Sequence, residues 1–365
     1  MPTHPADQLS RPSPRRAGRL PTVDVVIPCY NYAHFLPACV RSVLDQPGVD
    51  VRVLVIDDTS SDNTPEVVAE LVAADPRVAG RRHEVNKGHI ATYNEGLLEW
   101  ASADYTVLLS ADDLLAPGAL ARAAEVFERH PRVGMVYGRV VYYSDHDALP
   151  KVTTLPLGTS TWAGHDWIER RFRSSRNVIS SPEVVVRTSV QQRVGGYRPD
   201  LPHAGDLEMW LRIAAVSDIG YVRGRQAAYY RVHAQSMMRT TFSSVFADLE
   251  QRRDVFDRVV DEHPELPGAE RLRSLAHKAI AKDALWRAVR AHDRDQLDEV
   301  PADELAAFAL ATYPDAEELP EYRALRRRKR LGARLCNRTQ VFLAPHAVKR
   351  GRLWLSHQLW KWRGQ

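Results

Sequence analysis

Short runs of β-branched and apolar residues alternate with amphipathic helical patterns through the first half of the chain. The runs predict strands at residues 23–28, 51–57, 105–109 and within 133–143. Helical patterns between them predict helices over residues 33–46, from Thr64 as N-cap with Pro65 in the first helical position, over 90–102, and from Pro117 to about His130. This alternation predicts an α/β fold with a Rossmann-like, mostly parallel sheet and ligand-binding loops at the carboxyl ends of the strands.

The pattern changes after residue 242, where amphipathic helices follow one another with almost no strand pattern up to residue 320. We therefore predict a flexible basic leader over residues 1–20, an α/β domain over 21–240, and an α-helical C-terminal region with a basic amphipathic tail over 241–365. The leader is polar and rich in proline, and it lacks an apolar segment of signal-peptide length, which argues against an export signal. No apolar run approaches the ~18 residues that span a bilayer.

Charge is concentrated at the C-terminal end of the 365-residue chain. From Tyr322 onward there are 13 Lys or Arg and no Asp or Glu, so the preceding residues hold 37 basic against 46 acidic side chains. An anionic partner is therefore expected at the tail. The three cysteines, Cys29, Cys39 and Cys336, have no CxxC spacing, which argues against a disulfide framework and a structural zinc site and favours reduced thiols inside the cell.

Polar clusters follow three of the predicted strands. They are Pro28-Cys29-Tyr30-Asn31, Asp57-Asp58-Thr59-Ser60 and Ser110-Ala111-Asp112-Asp113. The first can lay an aromatic ring beside a nucleobase, and the second can accept hydrogen bonds from a base or a ribose. The third supplies the carboxylate oxygens that Mg²⁺ or Mn²⁺ prefers. The alternative for each is ordinary: a turn, helix capping and a solvated turn.

Two further clusters lie later in the chain. Gly195-Gly196-Tyr197 is followed by Asp206 and Glu208 at the start of the helical pattern Met209-Trp210-Leu211-Arg212-Ile213. Asp206 is suited either to a general base facing a cleft or to an interaction with the helix dipole. His233 ends Tyr230-Arg231-Val232-His233, and it is either a structural residue or part of a metal or pyrophosphate site.

Taken together, in this order and spacing, the clusters resemble family 2 glycosyltransferases, which have an A-type, Rossmann-like fold. The resemblance runs from about Val23 to His233. The residues that carry it are Val25-Val26-Ile27-Pro28-Cys29-Tyr30-Asn31, Val55-Ile56-Asp57-Asp58-Thr59-Ser60, Asn86-Lys87-Gly88, Leu109-Ser110-Ala111-Asp112-Asp113, Val194-Gly195-Gly196-Tyr197 and Asp206-Leu207-Glu208-Met209-Trp210-Leu211-Arg212. Two departures are Ser110 and Gly205, where many members have an acidic residue.

The resemblance implies specific roles for these residues. The donor nucleotide is expected at Pro28, Tyr30, Asp57, Asp58, Lys87 and Asp112. Asp113 and His233 are expected at the metal, with Asp112 contacting the ribose or the metal. Asp206 is expected to be the catalytic base. The implied reaction is an inverting, Mn²⁺- or Mg²⁺-dependent transfer of a sugar from a nucleoside-diphosphate donor to an acceptor hydroxyl.

Several alternatives remain open at this point. A sugar nucleotidyltransferase would also bind a nucleotide and Mg²⁺, although no Gly-rich phosphate loop follows the first strand. A non-catalytic sugar-nucleotide-binding or scaffold protein is a second alternative, against which Asp113 and Asp206 argue. The acceptor can be a glycan, a lipid-linked glycan or a small molecule, and nucleic acid is not expected as a partner.

The tail also has two interpretations. Its tryptophans and leucines alternate with basic residues, a composition typical of elements that lie in a membrane interface. The residues concerned are Leu353, Trp354, Leu355, Leu359, Trp360 and Trp362 with Arg350, Arg352, Lys361 and Arg363, after the basic run Arg323, Arg326, Arg327, Arg328, Lys329 and Arg330. The tail either binds an anionic membrane surface or packs on the helical region. The predicted location is cytoplasmic, either free or peripheral on the inner membrane face.

Overall fold

The computed structural model describes residues 18–144, 149–151, 157–233 and 245–339, together with positions 342, 351, 354–355, 358–360 and 364. The described chain divides into two compact units. The first contains residues 18–167, 177–233 and Gly364, and the second contains residues 168–176 and the described residues from 245 to 360. The predicted leader at residues 1–20 lies almost entirely outside the described residues.

The first unit is built on one sheet, whose described strands number nine. They are β1 (Thr22–Cys29), β2 (Asp50–Asp57), β3 (Val78–Arg82), β4 (Tyr105–Leu108), β5 (Leu114–Leu115), β6 (Val133–Ser144), β7 (Thr159–Trp162), β8 (Val184–Arg187) and β9 (Asp218–Val232). Their order across the sheet is β3-β2-β1-β4-β8-β6-β9-β5, and β7 pairs with β9. The first four neighbours run parallel, β8 is antiparallel to both β4 and β6, and β9 is parallel to β6 but antiparallel to β5 and β7.

Helices connect and cover these strands. They are α1 (Leu36–Leu44), α2 (Thr64–Ala74), α3 (His89–Asn94) continued by a π-helix (Glu95–Trp100), α4 (Ala119–Arg129), α5 (Gly164–Ser174), a 3₁₀ turn (Ser181–Glu183), α6 (Thr188–Val194) and α7 (Gly205–Val216). Gly96 in the π-helix lies directly over Val26 of β1, where an added Cβ would stand 2.2 Å from Val26 Cγ1. Only glycine therefore lets this helix approach the sheet so closely.

The core of the first unit forms because β1 and β2 are apolar on both faces. Val25 and Ile27 of β1 are fully buried, and so are Leu36 and Val40 of α1, which pack against them. Burying aliphatic side chains of this kind contributes about 1.5–3 kcal/mol each. Each parallel strand therefore ends at a defined edge of the sheet, and the loops that follow are held there.

The second unit is α-helical in the part that the structure describes. This unit begins with residues 168–176, which include the end of α5. Its other helices are α8 (Val245–Glu262), α9 (Ala269–Arg294), α10 (Ala302–Thr312), a 3₁₀ turn (Pro314–Glu318), α11 (Pro320–Leu331) and α12 (Ala333–Thr339). The long helix α9 packs against α8, α10, α11 and α12. Among the described helices, none combines the length and the hydropathy needed to cross a bilayer.

The predicted fold class is confirmed: the chain has an α/β sheet domain followed by C-terminal helices. The sheet is mixed, however, because β8 inserts antiparallel between β4 and β6. One local detail also differs from the prediction. Asn63, not Thr64, occupies the N-cap of α2, and Asp62 Oδ1 accepts hydrogen bonds from the Thr64 backbone N–H (3.0 Å) and hydroxyl (2.5 Å).

Candidate active site

The loops after β1 and β2 lie side by side at the carboxyl edge of the sheet. The two strands pair in register, so that Cys29 lies opposite Asp57, and the Asp58 N–H donates to the Cys29 carbonyl at 2.9 Å. Pro28 and Tyr30 therefore flank the Asp57–Asp58 turn. Pro28 is half-buried, whereas the Tyr30 ring is 51% exposed and available to a ligand.

Reciprocal hydrogen bonds fix these two loops. Asn31 (φ 59°) and Thr59 (φ 64°) both adopt left-handed backbone conformations, which are uncommon outside glycine. The Asn31 N–H donates to Ser60 Oγ (2.9 Å), and Asn31 Oδ1 accepts from the Ser61 N–H (2.8 Å). Asp57 Oδ1 accepts from the Ser60 N–H (2.9 Å), so the buried Asp57 carboxylate holds its own turn.

The Asp58 carboxylate instead reaches across to the segment before α3. Its Oδ1 lies 2.7 Å from His83 Nδ1 and accepts from the Lys87 N–H (2.8 Å), while Oδ2 accepts from the Gly88 N–H (2.9 Å). Asp58 is buried, and these contacts orient the backbone of residues 87–88. Because a carboxylate oxygen can accept two hydrogen bonds, Oδ2 keeps capacity for a ligand donor.

His83 and Lys87 meet a second carboxylate on the other side. His83 Nε2 lies 3.0 Å from Glu95 Oε2, and Lys87 Nζ lies 3.1 Å from the same oxygen. Arg81 also contacts Glu95, at 3.2 Å. Burial, the largest single effect, raises the pKa of Glu95, but the hydrogen bonds from Lys87, His83 and Arg81 together lower it below its usual range. The buried His83 ring thus bridges Asp58 and Glu95.

Asp112 and Asp113 lie at the end of the loop that follows β4. Asp112 Oδ2 is 3.0 Å from His233 Nε2, and Asp113 Oδ1 accepts from the Arg231 N–H (2.9 Å). The antiparallel pairing of β5 with β9 brings residues 112–113 next to residues 231–233. Burial raises the pKa of Asp113 well above its usual range, and the adjacent Asp112 charge raises it further.

Aromatic rings surround this acidic pair. The His233 ring lies 5.5 Å from the Tyr32 ring and 5.3 Å from the Phe35 ring, measured between centroids. The Arg231 guanidinium lies over Phe35 at 4.3 Å and also donates to the Asp112 carbonyl at 2.9 Å. Among the described residues, no three His, Cys, Asp or Glu side chains are arranged to hold a metal ion by themselves.

Asp206 is the second residue of α7 and receives a hydrogen bond from Tyr197. Burial raises its pKa from 3.8 to about 6, and the bond from Tyr197 partly opposes this. The neighbouring acid Glu208 is different, because it is buried in ion pairs with Arg198 (2.8 Å) and Arg212 (2.6 Å). Glu208 is therefore structural, whereas Asp206 forms no ion pair with any residue that the structure describes.

The turn that carries Tyr197 is clamped by Asn94 from the end of α3. Asn94 Oδ1 accepts from the Tyr197 N–H at 2.6 Å, and Asn94 Nδ2 donates to the Tyr197 carbonyl at 2.8 Å. A Cβ at Gly196 would come within 2.4 Å of Asn94 Oδ1. Glycine is therefore required here for the close approach that positions Tyr197 against Asp206.

The phenols of Tyr93 and Tyr230 each lie within electrostatic reach of all three carboxylates discussed above. The pKa of Tyr93 and that of Tyr230 are raised first by burial, then by the charges of Asp206, Asp112 and Asp113. The Tyr93 ring also packs against Tyr197, with ring centroids 5.5 Å apart. Asp206 thus lies within electrostatic reach of the same phenols as the Asp112–Asp113 pair.

The sequence did not indicate every residue of this arrangement. His83 stands alone between Arg82 and Glu84, with no spacing that marks it as functional. Tyr93 lies inside a helical pattern and reads as an ordinary core residue. Arg231 is part of a recognised cluster, but only the pairing of β5 with β9 brings its backbone to Asp113.

Comparison with known sequences identifies the family. The sequence model described as Glycosyl transferase family 2 matches residues 24–190, which include the donor-side loops and the Asp112–Asp113 pair. Residues 24–190 of the chain thus form a family 2 glycosyltransferase domain. The protein is therefore a glycosyltransferase that uses a nucleotide-sugar donor. Asp206 and His233 lie beyond the matched span of this family 2 glycosyltransferase.

Individual relatives agree with this assignment. The chain is 27% identical over 215 residues to chondroitin synthase from Pasteurella multocida, covering 59% of this chain but only 21% of that protein. It thus spans about a fifth of that synthase. Among solved structures, TarS of S. aureus with UDP-GlcNAc has a TM-score of 0.58 at 15% identity, covering 83% of this chain and 91% of that one.

A second solved structure is similar in fold over most of its length. The mannosyltransferase PcManGT from Pyrobaculum calidifontis, in complex with GDP-Man and Mn²⁺, has a TM-score of 0.54 at 19% identity. The similarity covers 91% of this glycosyltransferase and 87% of that chain. At these identities the two structures establish the A-type fold.

Proposed function

We propose that this protein is a metal-dependent inverting glycosyltransferase that transfers a sugar from a nucleoside-diphosphate donor to an acceptor hydroxyl, with Asp206 as the general base. One observation carries the proposal. Asp206, with a pKa of about 6, shares the electrostatic surroundings of Tyr93 and Tyr230 with the Asp112–Asp113 pair. A base and a phosphate-side acidic pair in one region are what a single displacement requires.

The donor nucleotide is proposed to bind along the loops after β1 and β2. The exposed Tyr30 ring and the half-buried Pro28 offer a surface for the base, and Asp58 Oδ2 offers an acceptor for a base or ribose donor. Lys87 adds a positive charge at the same edge, where it favours an anionic ligand. Asp57 supports the site indirectly, because its carboxylate holds the turn at Ser60.

The metal is proposed to bind at Asp112, Asp113 and His233. Two carboxylates and one imidazole are ligand types that suit Mn²⁺. Among the described residues no three such side chains are arranged as a ready-made metal site, so the phosphates of the donor and water would have to supply the remaining ligands. When bound, such a cation stabilises the charge that develops on the departing diphosphate. Asp113 is held for this role by the Arg231 N–H, and Asp112 is held by His233.

The catalytic step is proposed to depend on the ionised form of Asp206. Its carboxylate accepts the proton of the acceptor hydroxyl while that oxygen attacks the anomeric carbon from the face opposite the diphosphate. A pKa near 6 keeps the group ionised at neutral pH while making it a stronger base than an exposed aspartate. The phenol of Tyr197 fixes its orientation.

The cellular location is proposed to be the cytoplasm. Cys29, Cys39 and Cys336 are all free and buried, as expected of thiols in a reducing compartment. The acceptor is proposed to carry a hydroxyl on a glycan, a lipid-linked glycan or a small molecule. A non-catalytic scaffold has no need for a buried carboxylate of raised pKa such as Asp206 near an acidic pair, and this favours the transferase over that alternative.

A panel of nucleotide sugars tests the proposal. UDP-, GDP- and dTDP-sugars are screened by thermal shift with Mn²⁺, because a ligand that binds the native state raises its melting temperature by mass action. The stabilising donor is then assayed for release of nucleoside diphosphate, alone and with glycan acceptors. In a parallel assay with nucleoside triphosphates and sugar 1-phosphates, release of inorganic pyrophosphate would instead indicate a nucleotidyltransferase. Donor binding without any turnover across the acceptors would indicate a scaffold.

A further inference from the structure

Helices α11 and α12 present a basic surface that the catalytic proposal does not use. The exposed side chains Arg323, Arg326, Arg327, Arg330, Arg334 and Arg338 form this basic face. Among the described residues, none of the six forms an ion pair, whereas neighbouring Lys329 pairs with Asp303. The chain holds no acidic residue after Glu321, so nothing in this segment offsets the charge.

One basic residue of α11, Arg328, does not belong to the basic face. Arg328 is buried, and its Nε lies 2.8 Å from Asp293 Oδ1 on α9. Its guanidinium also stacks on the Phe342 ring at 3.8 Å. Leu325 is buried on the same side of α11. This side therefore anchors the helix, while the basic face points away from the helix bundle.

Apolar side chains stand exposed among the arginines. Leu331 and Leu335, which is 47% exposed, lie between Arg330 and Arg338 on the outer side of the two helices. Further along, Trp354 is 64% exposed, and Leu355 and Leu359 are also exposed. Trp360 alone among the described tail aromatics is buried, so the interpretation of all tail tryptophans as core does not hold. Residues 352–353 and 361–363, with Arg350, lie outside the described residues.

We propose that the basic face and its exposed leucines and tryptophan form a docking surface for an anionic membrane. Charge complementarity supplies the attraction, because basic side chains gain favourable energy near anionic headgroups. The exposed leucines distinguish a membrane from a nucleic acid, since aliphatic side chains gain by entering the interface and gain little against a phosphate backbone; Trp354 also suits the interface. The inference is independent of the catalytic roles proposed above.

Sedimentation with vesicles tests the surface. The full chain is mixed with vesicles of phosphatidylcholine alone and of phosphatidylcholine and phosphatidylglycerol in equal parts. We expect binding only to the anionic vesicles at low ionic strength, and release at roughly 1 M salt, where charges are screened beyond about 3 Å. A chain that stays in the supernatant with anionic vesicles, or binds both lipids equally, would overturn the proposal.

Two matched variants locate the binding surface. The first carries Arg323→Gln, Arg326→Gln, Arg327→Gln and Arg330→Gln, and it keeps the Arg328–Asp293 pair. The second removes four exposed basic residues from the first unit: Arg19→Gln, Arg41→Gln, Arg129→Gln and Lys151→Gln. The first should bind anionic vesicles roughly 10²–10³-fold more weakly, since each residue contributes about fivefold, and the second should bind as the wild type does.

Two further outcomes decide the inference. If the variant with four substitutions has a lowered melting temperature, a variant with only Arg326→Gln and Arg327→Gln replaces it. Its affinity for anionic vesicles should fall roughly 25-fold. Equal binding by wild type and the basic-face variant would contradict the proposal, and so would an equal loss in the control. A DNA duplex that displaces the protein completely from anionic vesicles at matched phosphate concentration would assign the surface to nucleic acid instead.

Discussion

Replacing Asp206 with asparagine separates its proposed role in catalysis from a role in helix capping. Asparagine keeps the size of the side chain and an oxygen that accepts the hydrogen bond from Tyr197. It cannot take a proton at neutral pH. If Asp206 is the general base, we expect the rate of transfer to fall by ~10²–10⁴-fold, while the affinity for the donor changes little.

Loss of a helix cap would lower the free energy of unfolding, whereas we expect the Asp206→Asn substitution to raise it. The pKa of Asp206 rises from 3.8 to about 6 on folding, so keeping it ionised in the native state costs about 3 kcal/mol at alkaline pH. Its interaction with the dipole of α7 returns about 0.3–1 kcal/mol. The Asn variant should therefore be about 2 kcal/mol more stable than wild type at pH 8.

The pH dependence follows from the same shift. Below about pH 4, Asp206 is protonated in both the folded and the unfolded chain, so it has no differential effect. Between pH 4 and 6 the unfolded chain loses this proton first, which makes the wild type less stable as pH rises. Above pH 6 the penalty is complete, so the stability gain of the Asn variant should appear between pH 4 and 6 and then stay constant.

The wild-type rate provides the matching kinetic measurement. Transfer should fall about tenfold per pH unit below pH 6, because only the ionised carboxylate accepts the proton. Turnover is measured as nucleoside-diphosphate release across this range, and stability by thermal unfolding of both proteins. A variant that turns over normally but is less stable by about 0.5–2 kcal/mol at pH 8 would refute the base role and support capping.

Two other substitutions test the donor side of the site. Asp113→Asn should lower activity by at least ~10³-fold even with excess Mn²⁺, because it removes an anionic ligand while its amide oxygen still accepts from the Arg231 N–H. Asp50→Asn is the control, since Asp50 begins β2 at the end of the strand far from the site. Full wild-type turnover in excess chelator would contradict metal dependence. His83→Ala should raise the KM for the donor by ~10–100-fold and change kcat much less, since it removes a hydrogen bond to the Asp58 carboxylate. Arg81→Gln, which contacts Glu95 but not Asp58, should leave that KM within a few-fold of wild type; equal KM values for wild type and His83→Ala would mean that His83 does not position the donor site.

The amino-acid sequence alone indicated four of the nine described strands, β1, β2, β4 and β6, together with the polar clusters after the first three of them. The β-branched runs at β1, β2 and β4 predicted strands because burial on both faces requires uninterrupted apolar residues, as at Val53–Ile56. The acidic clusters at residues 57–58 and 112–113 were evident for a related reason. Parallel strands bring their carboxyl ends to one edge, so residues directly after each strand must lie near one another.

Only the tertiary structure decided what each of those side chains does. Asp57 and Asp58 are adjacent and chemically identical in sequence, yet Asp57 holds its own turn while Asp58 reaches residues 83, 87 and 88. The same applies to Arg328, which is buried on Asp293 although exposed arginines surround it in the sequence. Similarly, the mixed sheet arises from the antiparallel insertion of β8, which no local pattern specifies.

The physical reason is the range of the interactions. Periodicity and residue type indicate burial and local backbone preference. These depend on a few neighbouring residues and can therefore be inferred from the sequence. Hydrogen-bond partners, desolvation and the resulting pKa come from groups far away in sequence, such as the Tyr197 phenol that bonds to Asp206 or the Arg231 N–H that bonds to Asp113. The sequence therefore determined which carboxylates stand at the edge of the sheet, and folding alone decided which of them is buried, paired or left to act as a base.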